Sequence, residues 1–168
     1  MTKSNTFSEP DPFTQAEFDA WRGLIRLRET VMREIDRRLA AAGEISLDEY
    51  GVLVTLVGQP GMQLRMTDLG QRRMLTPSGI TRAVMRLEKR KLVRREPDPD
   101  DGRSALATLT DRGLAALRRA QRVHHATVRE LYLGKLTDRE QRQLARLFEK
   151  ALPGVVRADV WPSSSPRR

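Results

Sequence analysis

Cysteine is absent from the 168 residues, which removes disulfides, thiolate metal ligands and any cysteine redox switch. Aromatic residues are scarce: two Trp, two Tyr and four Phe. No apolar run approaches the ~18 residues that a bilayer-spanning helix needs. The first residues also lack the basic-then-apolar order of a secretory signal. The two histidines, His124 and His125, have no further groups at metal-ligand spacing. Catalytic signatures are missing too: no phosphate-cradling glycine loop, no Gly-x-Ser-x-Gly turn and no histidine pair at i and i+4. The expectation is a soluble, cytoplasmic, non-enzymatic chain with no metal, no cofactor and no membrane partner. Its length suits one domain, burying about two thirds of the unfolded surface, so folding calls for neither crosslink nor ion.

What the chain has in excess is positive charge. Lys and Arg number 31 against 22 Asp and Glu, a net charge of +9. Between Arg65 and Arg95 there are ten basic residues, and the acids are Asp68 and Glu88 alone, so nearly the whole excess sits in one stretch. A field so concentrated attracts polyanions, with nucleic acid first and an anionic membrane surface or an acidic protein as alternatives.

Residues 1–13, with Pro10 and Pro12 and no apolar period, read as a flexible arm. A helix is expected over 14–45, with Phe18, Trp21, Ile25, Met32, Ile35 and Leu39 on its inner face and Gly43 as its stop. Ser46 to Glu49 spells a capping box, with Ile45 and Tyr50 placed for a hydrophobic staple. Leu53, Leu56 and Val57 continue that helix inward. A short extended piece over 63–66 then leads to a brief helix capped by Thr67. Thr76-Pro77 announces the next helix, a hydroxyl cap followed by proline at its first position. Two extended runs, 93–96 and 105–109, flank a turn-rich loop over 97–103 and suggest a β-hairpin. Thr110 caps a long helix carrying Leu114, Leu117, Val128 and Leu131. Gly134 interrupts it, and a second capping box, Thr137 to Glu140, opens a helix with Leu144, Leu147, Phe148 and Leu152 inward. Pro153-Gly154 ends it, before a disordered tail over 154–168.

The order helix, short strand, short helix, turn, helix, hairpin is that of a helix-turn-helix followed by a wing. Its second helix is the element that enters a major groove. On a wheel of about 100° per residue, Ile80, Val84, Leu87 and Ala83 share one side of the helix from Thr76. Ser78, Arg82 and Lys89 fall about 160–200° away from Ile80, with Arg86 close by. An arginine fork matches the guanine edge, Ser78 and Thr81 are short donors, and Gly79 allows close approach. The free amides of the helix start suit a phosphate. Met85 lies among the polar residues, either touching a thymine methyl or simply exposed. Arg103 at the wing either enters a minor groove or pairs with Asp100 or Asp101. Arg94 and Arg95 alternate faces of a strand, so one of them meets phosphate. His124, with Trp21 and Tyr50, either lines an effector pocket or belongs to the core.

Residues 64–113 resemble the multiple-antibiotic-resistance regulator (MarR) family of bacterial winged-helix transcription factors. The marks are Leu87-Glu88-Lys89-Arg90, Leu92-Val93-x-Arg95, and Asp101-x-Arg103 followed six residues on by Leu109-Thr110. The flanking helices extend the similarity over roughly 14–152. The resemblance implies a mainly α winged helix-turn-helix (46–110) between an N-terminal dimerisation helix (14–45) and C-terminal dimerisation helices (111–153). It also implies a homodimeric repressor of double-stranded, pseudo-palindromic operator DNA, released by a small effector, often an aromatic acid. Carried over, Ser78, Gly79, Thr81, Arg82, Arg86, Lys89, Arg95 and Arg103 are the expected DNA contacts, and Trp21, Tyr50 and His124 the expected effector contacts. Lys91 stands where a helix-closing glycine is usual, and Gly70 where alanine is common, at a cost of up to ~1 kcal/mol. The oxidant-sensing branch would need a cysteine, and the acid of the urate-sensing branch would align with Gly51. A basic helical adaptor for an acidic protein or membrane is the other reading of the charge.

Overall fold

Five helix starts in the computed structural model obey the local grammar of the sequence, that of the helix capped by Thr110 among them. The structure describes residues 12–43, 45–73, 76–99 and 101–156, without the side chain of Arg103. Helix α1 (Gln15–Ala41) starts on the box Thr14–Glu17, α2 (Leu47–Val57) on Ser46–Glu49 and α6 (Asp138–Ala151) on Thr137–Glu140. In each box the hydroxyl accepts an amide three residues on and the glutamate reaches back, which satisfies two orphan donors at once. Helix α4 (Pro77–Lys89) starts on Thr76, whose Oγ1 accepts the Gly79 amide at 3.1 Å.

Between α2 and α4 lie β1 (Gln63–Arg65) and α3 (Met66–Arg73); Thr67 falls inside α3 rather than capping it. After α4 come β2 (Val93–Asp98), β3 (Asp101–Leu109) and α5 (Asp111–Leu131). The three strands form an antiparallel sheet in the order β1-β3-β2, with Leu64 opposite Ala107 and Val93 opposite Leu109. The hairpin is longer than the sequence pattern suggests. Pairing extends to Asp98 opposite Asp101, past a register shift at Pro97 and Asp98, so most of the anticipated loop is strand.

The core joins Val31, Ile35 and Leu39 of α1 to Leu53 and Leu56 of α2, Leu69 of α3, Val84 and Leu87 of α4 and Leu117 of α5. Ile45 and Tyr50, the expected staple, are both buried. A bidentate bridge from Arg38 to Glu130 (2.6 and 2.8 Å) ties α1 to α5. Two expected inner faces are not covered. Phe18, Trp21 and Met32 of α1 are exposed, Trp21 by 55%, and so are Leu147, Phe148 and Leu152 at the end of the chain's last helix. No residue of α6 is buried. Among the described residues nothing covers either row. Among the described residues no helix is long and apolar enough to cross a membrane, and no acidic or histidine cluster could hold a metal. The expected arm 1–13 and tail 154–168 lie almost wholly outside the described residues.

Candidate nucleic-acid interface

Helix α4 buries Ile80, Ala83, Val84 and Leu87 and turns Ser78, Arg82, Met85, Arg86 and Lys89 outward. Met85 is exposed by 54%. Arg82 and Lys89 have no ion-pair or hydrogen-bond partner among the described residues, so their charge is available to an outside anion. The start of the helix is less open than expected. Pro77 has no amide hydrogen and Gly79 gives its own to Thr76, which leaves the Ser78 amide at the mouth of the helix. Ser78 Oγ lies 3.3 Å from Thr76 Oγ1. Thr81 is half-buried and donates its hydroxyl hydrogen to the Pro77 carbonyl (2.8 Å), so it faces a ligand as an acceptor rather than the expected donor.

Arg86 is not the free cation that its place on the wheel suggests. Its Nε donates to Glu49 Oε1 at 2.8 Å, and Glu49 is a buried residue of α2. The rest of the Arg86 side chain is half exposed. The wing is similarly pinned at its root. The Arg65 Nε donates to the buried Asp98 carboxylate at 2.5 Å, and the Ser104 hydroxyl donates to the same oxygen at 3.1 Å. Arg94 pairs with Glu96 (2.7 Å), and Arg95 lies 3.9 Å from Glu88 while remaining exposed. Several charges of the basic stretch are therefore matched inside the fold. The side chain of Arg103 and its pairing with Asp100 lie outside the described residues; its backbone belongs to β3.

The exit from α4 explains two of the sequence marks. Lys91 takes the left-handed turn itself, with φ of 59°. Its amide donates to the Glu88 carbonyl (2.8 Å) and the Leu92 amide to that of Leu87 (2.9 Å), the paired bonds of a Schellman cap. The Thr110 hydroxyl then reaches back to the Lys91 and Leu92 carbonyls (2.9 and 3.1 Å) while accepting the Gly113 amide (3.0 Å). One threonine thus caps α5 and fastens it to the end of α4. Gly113, which sequence reasoning passed over, allows this approach: a Cβ there would lie 2.0 Å from the Leu92 carbonyl oxygen.

Behind the helix-turn-helix, the Tyr50 and His124 rings stack at 4.7 Å, and His125 meets His124 edge-on at 5.8 Å. Burial drives the His124 imidazole down to about 4, helped by the neighbouring His125, and drives the Tyr50 phenol up. The Tyr50 hydroxyl and Arg73 Nε are buried with no hydrogen-bond partner among the described residues. Arg73 lies across Gly51, where a Cβ would sit 2.1 Å from Nη2, and burial lowers its pKa against the pull of Asp48. Of the three expected effector contacts, Tyr50 and His124 meet, whereas Trp21 stands on the bare half of α1.

Residues 44–104 match the family model described as MarR family. The HTH-type transcriptional repressor Rv2887 of Mycobacterium tuberculosis is 32% identical over 127 residues, covering 76% of this chain and 88% of the relative. The structure is similar to that of Sco3205, a MarR family transcriptional regulator from Streptomyces coelicolor solved in complex with DNA. That comparison has 33% identity, a TM-score of 0.78, and coverage of 95% of this chain and 97% of the other. AbsC, a MarR family regulator from the same organism, aligns with a TM-score of 0.75 and 28% identity over 88% of this chain and 97% of its own.

Proposed function

Because this chain belongs to the MarR family of DNA-binding transcriptional regulators, we propose that it is a homodimeric repressor of a pseudo-palindromic operator, released by a small effector, of which aromatic acids are the first class to test. In this reading one α4 enters the major groove of each half-site. Arg82 reads base edges, Lys89 and Arg95 hold phosphates, Ser78 offers its amide and hydroxyl to the backbone, and Gly79 allows close approach. Arg86 adds a second base contact, Thr81 an acceptor and Arg103 a wing contact. The effector enters beside Tyr50 and His124, where the Tyr50 hydroxyl, without a hydrogen-bond partner among the described residues, is able to donate to an acid. That Rv2887 is named a repressor supports the sign of regulation, and the DNA held by Sco3205 supports the ligand.

The single observation that carries the proposal is Arg82. It is an exposed guanidinium with no partner among the described residues, on the face of α4 opposite Ile80, Val84 and Leu87. A guanidinium fork gives discrimination of roughly 1–3 kcal/mol per good guanine pair, whereas an ammonium on phosphate adds affinity without preference. Gel-shift titrations on operator and scrambled duplexes separate the two roles. Arg82→Ala should lose operator preference, and Lys89→Ala should weaken both duplexes alike. Equal losses on the two duplexes for Arg82→Ala would defeat the assignment.

A further inference from the structure

We propose that Glu49 of α2 is a specificity-determining positioning residue, which grips the inner edge of the Arg86 guanidinium so that only its two terminal amino groups face a base. The inference rests on the reading of α4 as the groove-entering helix and goes beyond it, since Glu49 touches no DNA.

The comparison is internal to the molecule. Among the described residues, three glutamates occupy the third position of capping boxes. Glu17 and Glu140 are exposed, and each uses one oxygen for the amide and hydroxyl of its own cap threonine. Glu49 is buried, and its Oε2 alone accepts the Ser46 amide (2.9 Å). Its Oε1 accepts Arg86 Nε at 2.8 Å from a helix 37 residues further along, and Arg90 Nη1 lies 4.0 Å from Oε2. Capping does not require the second oxygen, nor does it require burial. What the second oxygen does is fix one arginine of α4.

The chemistry of that grip is directional. An arginine can meet guanine side-on, through Nε and one amino group, or end-on, through both amino groups. With Nε donating to Glu49, the end-on fork remains, aligned with the O6 and N7 acceptors of guanine. The buried carboxylate also cancels most of the Arg86 charge, so this residue contributes little to general phosphate attraction. Holding the side chain in advance also removes part of the rotamer entropy lost on binding. Arg82, with no such partner among the described residues, remains free to adapt.

The test starts from a duplex selected out of a random library by the full-length wild-type protein, with variants carrying each G·C pair replaced in turn. Glutamine also completes a capping box, so Glu49→Gln keeps α2 while removing the charge. Glu49→Gln should lose about 10-fold of guanine preference at one position per half-site. Its binding to a scrambled duplex should hold or strengthen, because a negative charge has gone. In an Arg86→Ala background, Glu49→Gln should change the preference no further. Ser46→Ala, which weakens the cap alone, should lower the melting temperature and leave the preference intact. Retained preference in Glu49→Gln, beside its loss in Arg86→Ala, overturns the inference and spares the base-reading role of Arg86. Undiminished preference in Arg86→Ala overturns both. Additive losses in the double variant also overturn the inference, since Glu49 would then act without Arg86. Should Glu49→Gln melt below the assay temperature, Glu49→Asp keeps the charge but draws the carboxylate back from Arg86 Nε. It must lose the same guanine preference, and retention counts against the proposal.

Discussion

Lys91 shows how one residue can carry a strained duty that its type does not favour. A side chain in the left-handed region costs roughly 1–2 kcal/mol, and the Schellman bonds to Leu87 and Glu88 hold it there. The absence of glycine was visible in the sequence; which residue would take the turn was not, because that depends on where Thr110 docks. Lys91→Gly should relieve the strain while raising the entropy of the unfolded chain, for a net gain of about 0.5 kcal/mol. Urea denaturation should show a higher midpoint at unchanged slope. A lower midpoint would mean that the lysine side chain contributes contacts which outweigh the strain.

At the scale of elements, the long helix α5 carries a pH-sensitive pair, His124 and His125. The His124 ring stacks on Tyr50 of α2, and burial disfavours its protonated form. Because its folded pKa, about 4, lies below the unfolded value of 6.5, the unfolded chain binds the extra proton more readily between these limits. The neutral ring's contribution is complete above pH 6.5 and is lost as pH falls toward 4. His125 is lowered by burial too and acts in the same direction. Between pH 7.5 and 5, stability should fall by about 1–2 kcal/mol, allowing for the ring's residual exposure, and His124→Phe should remove most of that slope. Glu34 belongs to a separate, more acidic window, because hydrogen bonds from Arg37 and Arg38 hold its carboxyl down to about 2. Denaturation curves at the two pH values decide the matter; an unchanged slope in His124→Phe would move the effect elsewhere.

The whole molecule leaves its apolar edges bare. Trp21, Leu24 and Leu27 on α1, with Leu147 and Phe148 on α6, form exposed rows of a kind that soluble proteins seldom leave to water. In a homodimer these rows would cover one another and set the two α4 helices for two half-sites. Leu147→Arg combined with Phe148→Glu should therefore shift the chain from dimer to monomer in analytical ultracentrifugation. Operator affinity should drop by about 100-fold as the second half-site becomes a separate binding event. A wild-type chain that sediments as a monomer at micromolar concentration would sink the proposed symmetry.

Much of the architecture follows from short-range grammar. The boxes at Ser46 and Thr137, the Thr76-Pro77 start, the two-sided wheel of α4 and the stops at Gly43 and Gly154 each depend on residues within a turn or two, where backbone geometry leaves few options. These signals also pointed to Arg82 and Lys89, whose proposed roles need nothing but an open face. Distances along the chain marked the boundary of what could be read. The Arg86–Glu49, Arg65–Asp98 and Thr110–Lys91 contacts join residues 37, 33 and 19 positions apart, and only packing decides which opposite charges or donors share a buried spot. The sequence determined which faces are apolar and which are basic. The tertiary structure decided which of those charges are already satisfied inside the fold, because a buried carboxylate requires a partner and takes the nearest cation that the fold delivers.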